Sequence, residues 1–279
     1  ATHTGDVTGS GALTIATDAV DIAMLSATGT ASSSTFLRGD NSWAAAGGAT
    51  SIDGLSDAIA TSGDGGASIG LGTDAVGNTQ NYKFNIGLGY RALRNVTSGT
   101  NNVGIGNEPL KTLTTGSKNI GIGYSLGKLT TASGNVGIGY GTLKEATTGY
   151  DNVAIGLDTL DALTTGYDNI AIGGYTASSM TTAQHNTAVG SGVMFACTTG
   201  SQNTAIGRLA MYSNTTANYN TAIGASALQA NTTGTNNVAI GRQTMDANTT
   251  ASNNTAVGYS ALGANTTGAE NTALGANAL

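Results

Sequence analysis

N-T-A-I-G-A-S-A-L-Q-A-N-T-T-G-T-N, residues 220–236, is one turn of a phrase that starts again at Asn237. Stepping seventeen residues at a time, the opening place falls on Ser68 at one end and on Asn271 at the other, and only the interval from Asn119 to Asn135 is one residue short. We number the places of the phrase slot 1 to slot 17. A unit this short cannot bury its own apolar side. Successive turns must therefore stack and share a core, which is the logic of a β-solenoid.

Composition agrees. The chain of 279 residues has 43 Gly, one Pro and 9% charged residues, and Gly, Thr and Asn are poor helix formers. Recurrent Ile, Val and Leu, with a net charge of only -6, argue against a disordered chain. The acidic balance, with ten Lys and Arg spread along the chain, argues against nucleic acid as a partner. No apolar stretch approaches the roughly 20 residues of a membrane-spanning helix, so membrane insertion is not expected. The chain begins at Ala1 and stops within an unfinished turn, which reads as an excerpt of something longer.

The slots divide into roles. Slot 5 is Gly in every turn, while slot 3 is Gly in the first five turns and Ala afterwards. Slots 2 and 4 carry Ile, Val, Leu or Thr. Strand alternation puts slots 2 and 4 on one side and slots 3 and 5 on the other. The bulky side is expected to face the interior, opposite the slot-9 residues Leu93, Leu143, Leu228 and Met245. The bare side then meets a flat partner, and three copies around an axis would close that contact. The expectation is a homotrimer with Gly72, Gly89, Gly106, Gly123, Gly139 and Gly156, together with Ala154, Ala171, Ala188 and Ala205, at its centre.

Two further rows should point inward. Slot 12 runs from apolar residues such as Val96, Leu163 and Cys197 to Asn214, Asn231, Asn248 and Asn265, and a buried Asn row can form an amide ladder, as can the Asn row of slot 1. Cys197 reads as a buried, inert thiol. Charged residues after Gly66 occupy slots 6, 7, 10, 11, 16 and 17, which defines the solvent face. At about 4.8 Å per turn the array is a rod about 60 Å long.

Ahead of the array, residues 1–48 lack the period, and residues 49–67 are rich in Gly, Ala and Ser and read as a linker into the repeats of 68–279. Leu13-Thr14-Ile15 alternates like a strand, whereas the apolar run from Ala19 to Leu25 fits a short helix or a strand equally well. The stretch T-A-S-S-S-T-F-L-R-G-D-N-S-W, Thr30 to Trp43, resembles the S-T-F-L-R-G-D-G-T-W phrase of bacteriophage tail-fibre and related virion proteins, with Asn41-Ser42 in place of Gly-Thr. That phrase accounts for Arg38-Gly39-Asp40 without receptor mimicry.

The repeat itself resembles the N-x-A-I-G strand of trimeric autotransporter adhesin heads, parallel β-rolls with small residues at the trimer axis. It is also similar to T-T-G-x-x-N-T-A-x-G-x-x-A-L arrays of phage tail fibres and bacterial surface proteins, often placed ahead of a self-cleaving chaperone domain that this chain lacks. Its seventeen-residue coil is longer than the adhesin head's. The resemblance implies a virion fibre that associates with other tail proteins and reaches toward a bacterial surface, or else a bacterial surface adhesin.

Catalytic signatures are scarce. His3 and His185 are the only histidines and are far apart in sequence, so neither a Ser-His-Asp set nor a His-based metal site can be assembled, and no cofactor is expected. The Gly-x-Gly pairs are slots 3 and 5, and they lack the third Gly of a dinucleotide loop. Thr-Thr at slots 13 and 14 suggests ice binding, but adjacent strand residues point oppositely, so at most one Thr row faces out. Tyr150-Asp151 and Tyr167-Asp168 share slots in consecutive turns, with Asp158 and Asp161 near in sequence, and suggest glycan contact, with a glycosidase pair or a Ca²⁺ site as alternatives to a merely solvated face. Arg94, Lys111, Lys128 and Lys144 form a basic row that should lie beside something anionic, either a neighbouring chain's acids or a phosphate-bearing polymer. Splayed, solvated lysines are the other reading.

Overall fold

The structure, a computed structural model, describes residues 66–76 and 84–279, and before them the backbone of five short strands. The chain forms two compact units, Ala1–Ser56 and Asp57–Leu279. In the first, β1 (Val7–Thr8) pairs antiparallel with β2 (Thr14–Ile15), and β3 (Thr35–Leu37) pairs antiparallel with β4 (Trp43–Ala45). Thr14-Ile15 of the alternating stretch thus supplies a strand. The Ala19–Leu25 run, the Arg38–Asp40 tripeptide and residues 49–57 of the expected linker lie outside the described residues.

The second unit is a solenoid. Among the described residues there is no helix, and one 14-stranded sheet contains β5 (Ala58–Gly63), β6 (Gly66–Leu71) and then β7 (Ile86–Leu88) through β18 (Thr272–Leu274), one strand per turn. From β6 onward the strands are parallel and paired slot to slot, so that Ala154 lies on Ala171 and Ala171 on Ala188. The stretch read as a linker therefore includes a strand: β5 pairs antiparallel with β6, Thr61 against Ser68, and covers the sheet's first edge. Capping an edge this way satisfies backbone groups that would otherwise template another strand.

Each turn is held by an amide ladder. The backbone N–H of Asn152 donates to Asn135 Oδ1 at 3.1 Å, and its Nδ2 donates both to that same oxygen and to the Gly166 carbonyl across its own turn. The backbone N–H bond to the preceding Asn Oδ1 recurs from Asn102 to Asn254 and the Nδ2 bond to the carbonyl across the turn from Asn102 to Asn237, with the Asn side chains essentially buried. A buried amide left unpaired costs about 1–3 kcal/mol, so a fully paired row fixes the turn-to-turn register. The second ladder begins where slot 12 becomes Asn. Asn231 Nδ2 donates to Asn214 Oδ1 at 3.4 Å, and Asn248 Nδ2 to Asn231 Oδ1 at 3.0 Å.

The core corrects the expected orientation. Slot 3, not slots 2 and 4, points inward: Ala154, Ala171, Ala188 and Ala205 are buried within their own chain at 0–1% exposure. A Cβ added to Gly104 would lie 2.9 Å from the Ala92 carbonyl oxygen, and one on Gly121 would lie 3.1 Å from Leu110 Cγ. Leu110, Leu126, Leu143 and Leu160 from slot 9, with Leu113, Leu129 and Leu163 from slot 12, already fill the narrow coil. The strand opposite them must be small.

Slot 5 does not lie at an outer axis either. Its glycines take φ from +99° to +140°, and a Cβ on Gly72 would approach the Gly89 carbonyl oxygen to 2.9 Å. The bare positions Gly72, Gly89, Gly106, Gly123, Gly139 and Gly156 thus meet the next turn's backbone along the stack. Both reasons for glycine apply at once.

Candidate functional site

With slot 3 inward, slots 2 and 4 stand outward along the whole sheet. Ile170 and Ile172 are 42% and 37% exposed, and Ile206, Ile223 and Ile240 repeat the pattern. The register stacks these side chains in two straight rows. The result is a ribbon one strand wide along the array, apolar in both rows through Ile170 and, beyond it, apolar in the slot-4 row beside a mostly Thr slot-2 row. Isolated exposed apolar residues are ordinary, but a continuous patch of this length marks an interaction surface.

The ribbon is bracketed by two exposed edges, slot 17 just before each strand and slot 6 just after it. Slot 17 turns the corner in the left-handed region, with φ of +52° at Asp151, +54° at Asp168 and +61° at Tyr219. The most exposed aromatics of the array sit on these edges: Tyr140 at 64% on slot 6 and Tyr219 at 57% on slot 17.

The tyrosine pair expected to touch glycans forms a stack. Tyr150 and Tyr167 have ring centroids 4.7 Å apart at an interplanar angle of 6°, and His185 packs edge-on against Tyr167 at 5.2 Å. His185 Nδ1 lies 3.6 Å from Asp168 Oδ2. Asp151 stands beside them, and desolvation, followed by the neighbouring Tyr167, Asp168 and Asp151, raises the Tyr150 hydroxyl above its ordinary value. Asp158 and Asp161 do not join this group. They keep company with Lys144, and burial followed by the Asp158 charge raises the Asp161 carboxyl, whose Oδ1 is buried without a hydrogen bond. Among the described residues, no group of three or more His, Cys, Asp or Glu is placed to hold a metal.

The basic row is largely paired within the chain. Arg94 Nε lies 3.8 Å from Asp74 Oδ2, Lys111 Nζ donates to Glu108 Oε2 at 2.8 Å, and Lys128 pairs with Glu145. The hydrogen bond from Lys111 and its charge hold the Glu108 carboxyl below the ordinary range. Lys128 also departs from the row, because the residue missing between Asn119 and Asn135 is at slot 7. The Leu126 amide donates to the Thr142 carbonyl as the Leu143 amide does to Thr159, which makes Leu126 a slot-9 residue and Lys128 a slot-11 residue. A sequence count from Asn119 could not locate the gap.

Of the paired threonines, slot 14 is exposed, while the slot-13 hydroxyls bond to the next turn, as Thr164 Oγ1 does to the Thr181 carbonyl at 3.0 Å. Cys197 is fully buried, and burial pushes its thiol up to about 11.

Sequence reasoning missed the ribbon, though its signal, the alternation of slots 2 to 4, was visible. It also missed the stacks Tyr124–Tyr140 and Phe195–Tyr212, whose rings share slots 6 and 10. Fold and surfaces together define a β-solenoid repeat protein whose dominant outer feature is an unpartnered apolar ribbon. No protein-family model, curated protein or solved structure matches the chain.

Proposed function

We propose that this chain is the shaft of an extracellular fibre, a non-catalytic homotrimer in which the slot-2 and slot-4 ribbons of three copies pack around a common axis. The observation that carries this reading is the ribbon itself, with residues such as Ile170, Ile172 and Ile206 left about two-fifths exposed on a rigid, registered surface. Burying apolar area stabilises by roughly 25 cal/mol per Å², and a straight ribbon is matched best by another of the same pitch. The trimer is retained from the sequence argument, but with the opposite face at its centre. The resemblance of Thr30–Trp43 and of the repeat favours a phage tail fibre, attached to other virion tail proteins and contributing to contact with a bacterial surface glycan. A bacterial surface adhesin built from the same array is the alternative.

Light scattering of the full chain tests the reading: a particle of three times 27.4 kDa is expected, and a monomer at micromolar concentration overturns it. A second reading rests on one feature. From Thr187 to Thr272 slot 2 is mostly Thr beside an apolar slot 4, a flat Thr-x-Ile array of the kind that can order water. Thermal hysteresis from a monomeric chain would favour ice binding instead.

A further inference from the structure

We propose that neighbouring copies join unlike edges, the slot-17 edge of one meeting the slot-6 edge of the next at the same turn, so that three chains run parallel with no stagger. This rests on the trimeric reading above and adds to it which side chains meet. Closure supplies the first reason. A ring of identical chains around an axis parallel to the rod closes only if each step carries no translation, and such a contact is heterologous, pairing one edge with the other.

The second reason is size. Tyr140, the most exposed aromatic on slot 6, flanks the same strand as Gly134, the slot-17 residue just before it. Tyr219, the most exposed on slot 17, flanks the same strand as Ala225, the slot-6 residue just after it. A shift of one turn would set Tyr140 against Lys118 or Asp151, and Tyr219 against Arg208 or Arg242. Of these three registers, only the unstaggered one sets both rings opposite a Gly or Ala, with the Asp151 side chain lying over Gly134.

Charge supplies the third. The charged residues of slot 6 are Arg208 and Arg242, and among the described residues neither pairs with a carboxylate; Arg242 instead lies over the Tyr259 ring at 5.7 Å. Slot 17 carries Asp151, Asp168 and Glu270 against the single Lys118, and among the described residues Asp151 and Glu270 form no ion pair. One edge is basic and the other acidic. Unlike edges attract, whereas like edges repel.

The test is a full-length chain carrying Tyr219→Cys and Ala225→Cys, treated with a short bis-maleimide, with Asn236→Cys and Arg242→Cys as a second pair should the first misfold. The native thiol, Cys197, is buried and stays unreactive. The expected result is a ladder of cross-linked species ending at three chains, with no product from either single variant. A ladder ending at two chains overturns the threefold arrangement. Cross-linking by Tyr219→Cys alone means that like edges meet and also overturns it. Trimers in light scattering that resist cross-linking in both pairs overturn the edge assignment while leaving the shaft standing, whereas monomers overturn both.

Discussion

The two ends of the solenoid are built on one backbone but filled differently. Up to Gly137 slot 3 is Gly; from Ala154 on it is Ala. Slot 2 is Ile or Val through Ile170 and mostly Thr from Thr187, and slot 12 turns from apolar at Cys197 to Asn at Asn214. Three rows thus change within five turns. In the first part glycine makes room for two large side chains, as at Gly121, where Leu110 closes from across the coil and Leu113 lies in the same core. In the second part slot 3 gains a methyl, and slot 12 gives up an aliphatic side chain for an amide that bonds its neighbours. The second half thus adds a second amide ladder to the one that slot 1 runs through both halves.

The largest effect should ignore this difference. Gly139→Val and Gly241→Val each force a β-branched residue to φ near +130° and a side chain against the next turn's backbone. Each should cost about 3–5 kcal/mol in urea unfolding, in both halves alike. Unequal losses would show that the backbone itself differs between the halves.

Slot 12 should separate them. Leu163→Asn places an amide between Ala146 and Met180, where neither neighbour can pair with it, and should cost about 3 kcal/mol. Asn231→Leu removes one rung between Asn214 and Asn248 and should cost about 1 kcal/mol, because a leucine fits this slot elsewhere. Equal costs would erase the distinction between the two fillings.

A smaller effect lies where the halves meet. Asp161 is raised from its ordinary 3.8, so its folded state favours the neutral carboxyl; the stabilisation this provides is present below pH 3.8 and is lost as the pH rises through the elevated value. Asp161→Asn should raise stability at pH 7 by about 0.5 kcal/mol after solvent screening, and a pH series of melting curves should show the gain vanishing below pH 3.8. The smallest change concerns the corner that both halves share. Gln243 sits at φ +57°, and Gln243→Gly should stabilise by at most about 1 kcal/mol, read as a small rise in the urea midpoint.

Much of the candidate surface was readable in residue order and some was not. The Asn ladder of slot 1, the change of slot 12 and the solvent placement of the charged slots follow from residue type and period. The ion pairs of Lys111 and Lys128 did not, because they depend on which turn lies beside which and on a deletion that only the hydrogen-bond register locates. The tyrosine stack was foreseeable from shared slots, but the perpendicular contact of Tyr167 with His185 was not.

The seventeen-residue period by itself determined that turns stack, and alternation determined that slots 2 and 4 share a side opposite slot 3. A period of two carries parity without direction, however. Which side is inside depends on what already fills the coil from across it, here the leucines of slots 9 and 12. They leave space for a hydrogen or a methyl and no more, so the bulky rows face out. Only the tertiary structure could decide that, because the volume that excludes Ile from the core comes from residues on the far wall of the same narrow coil.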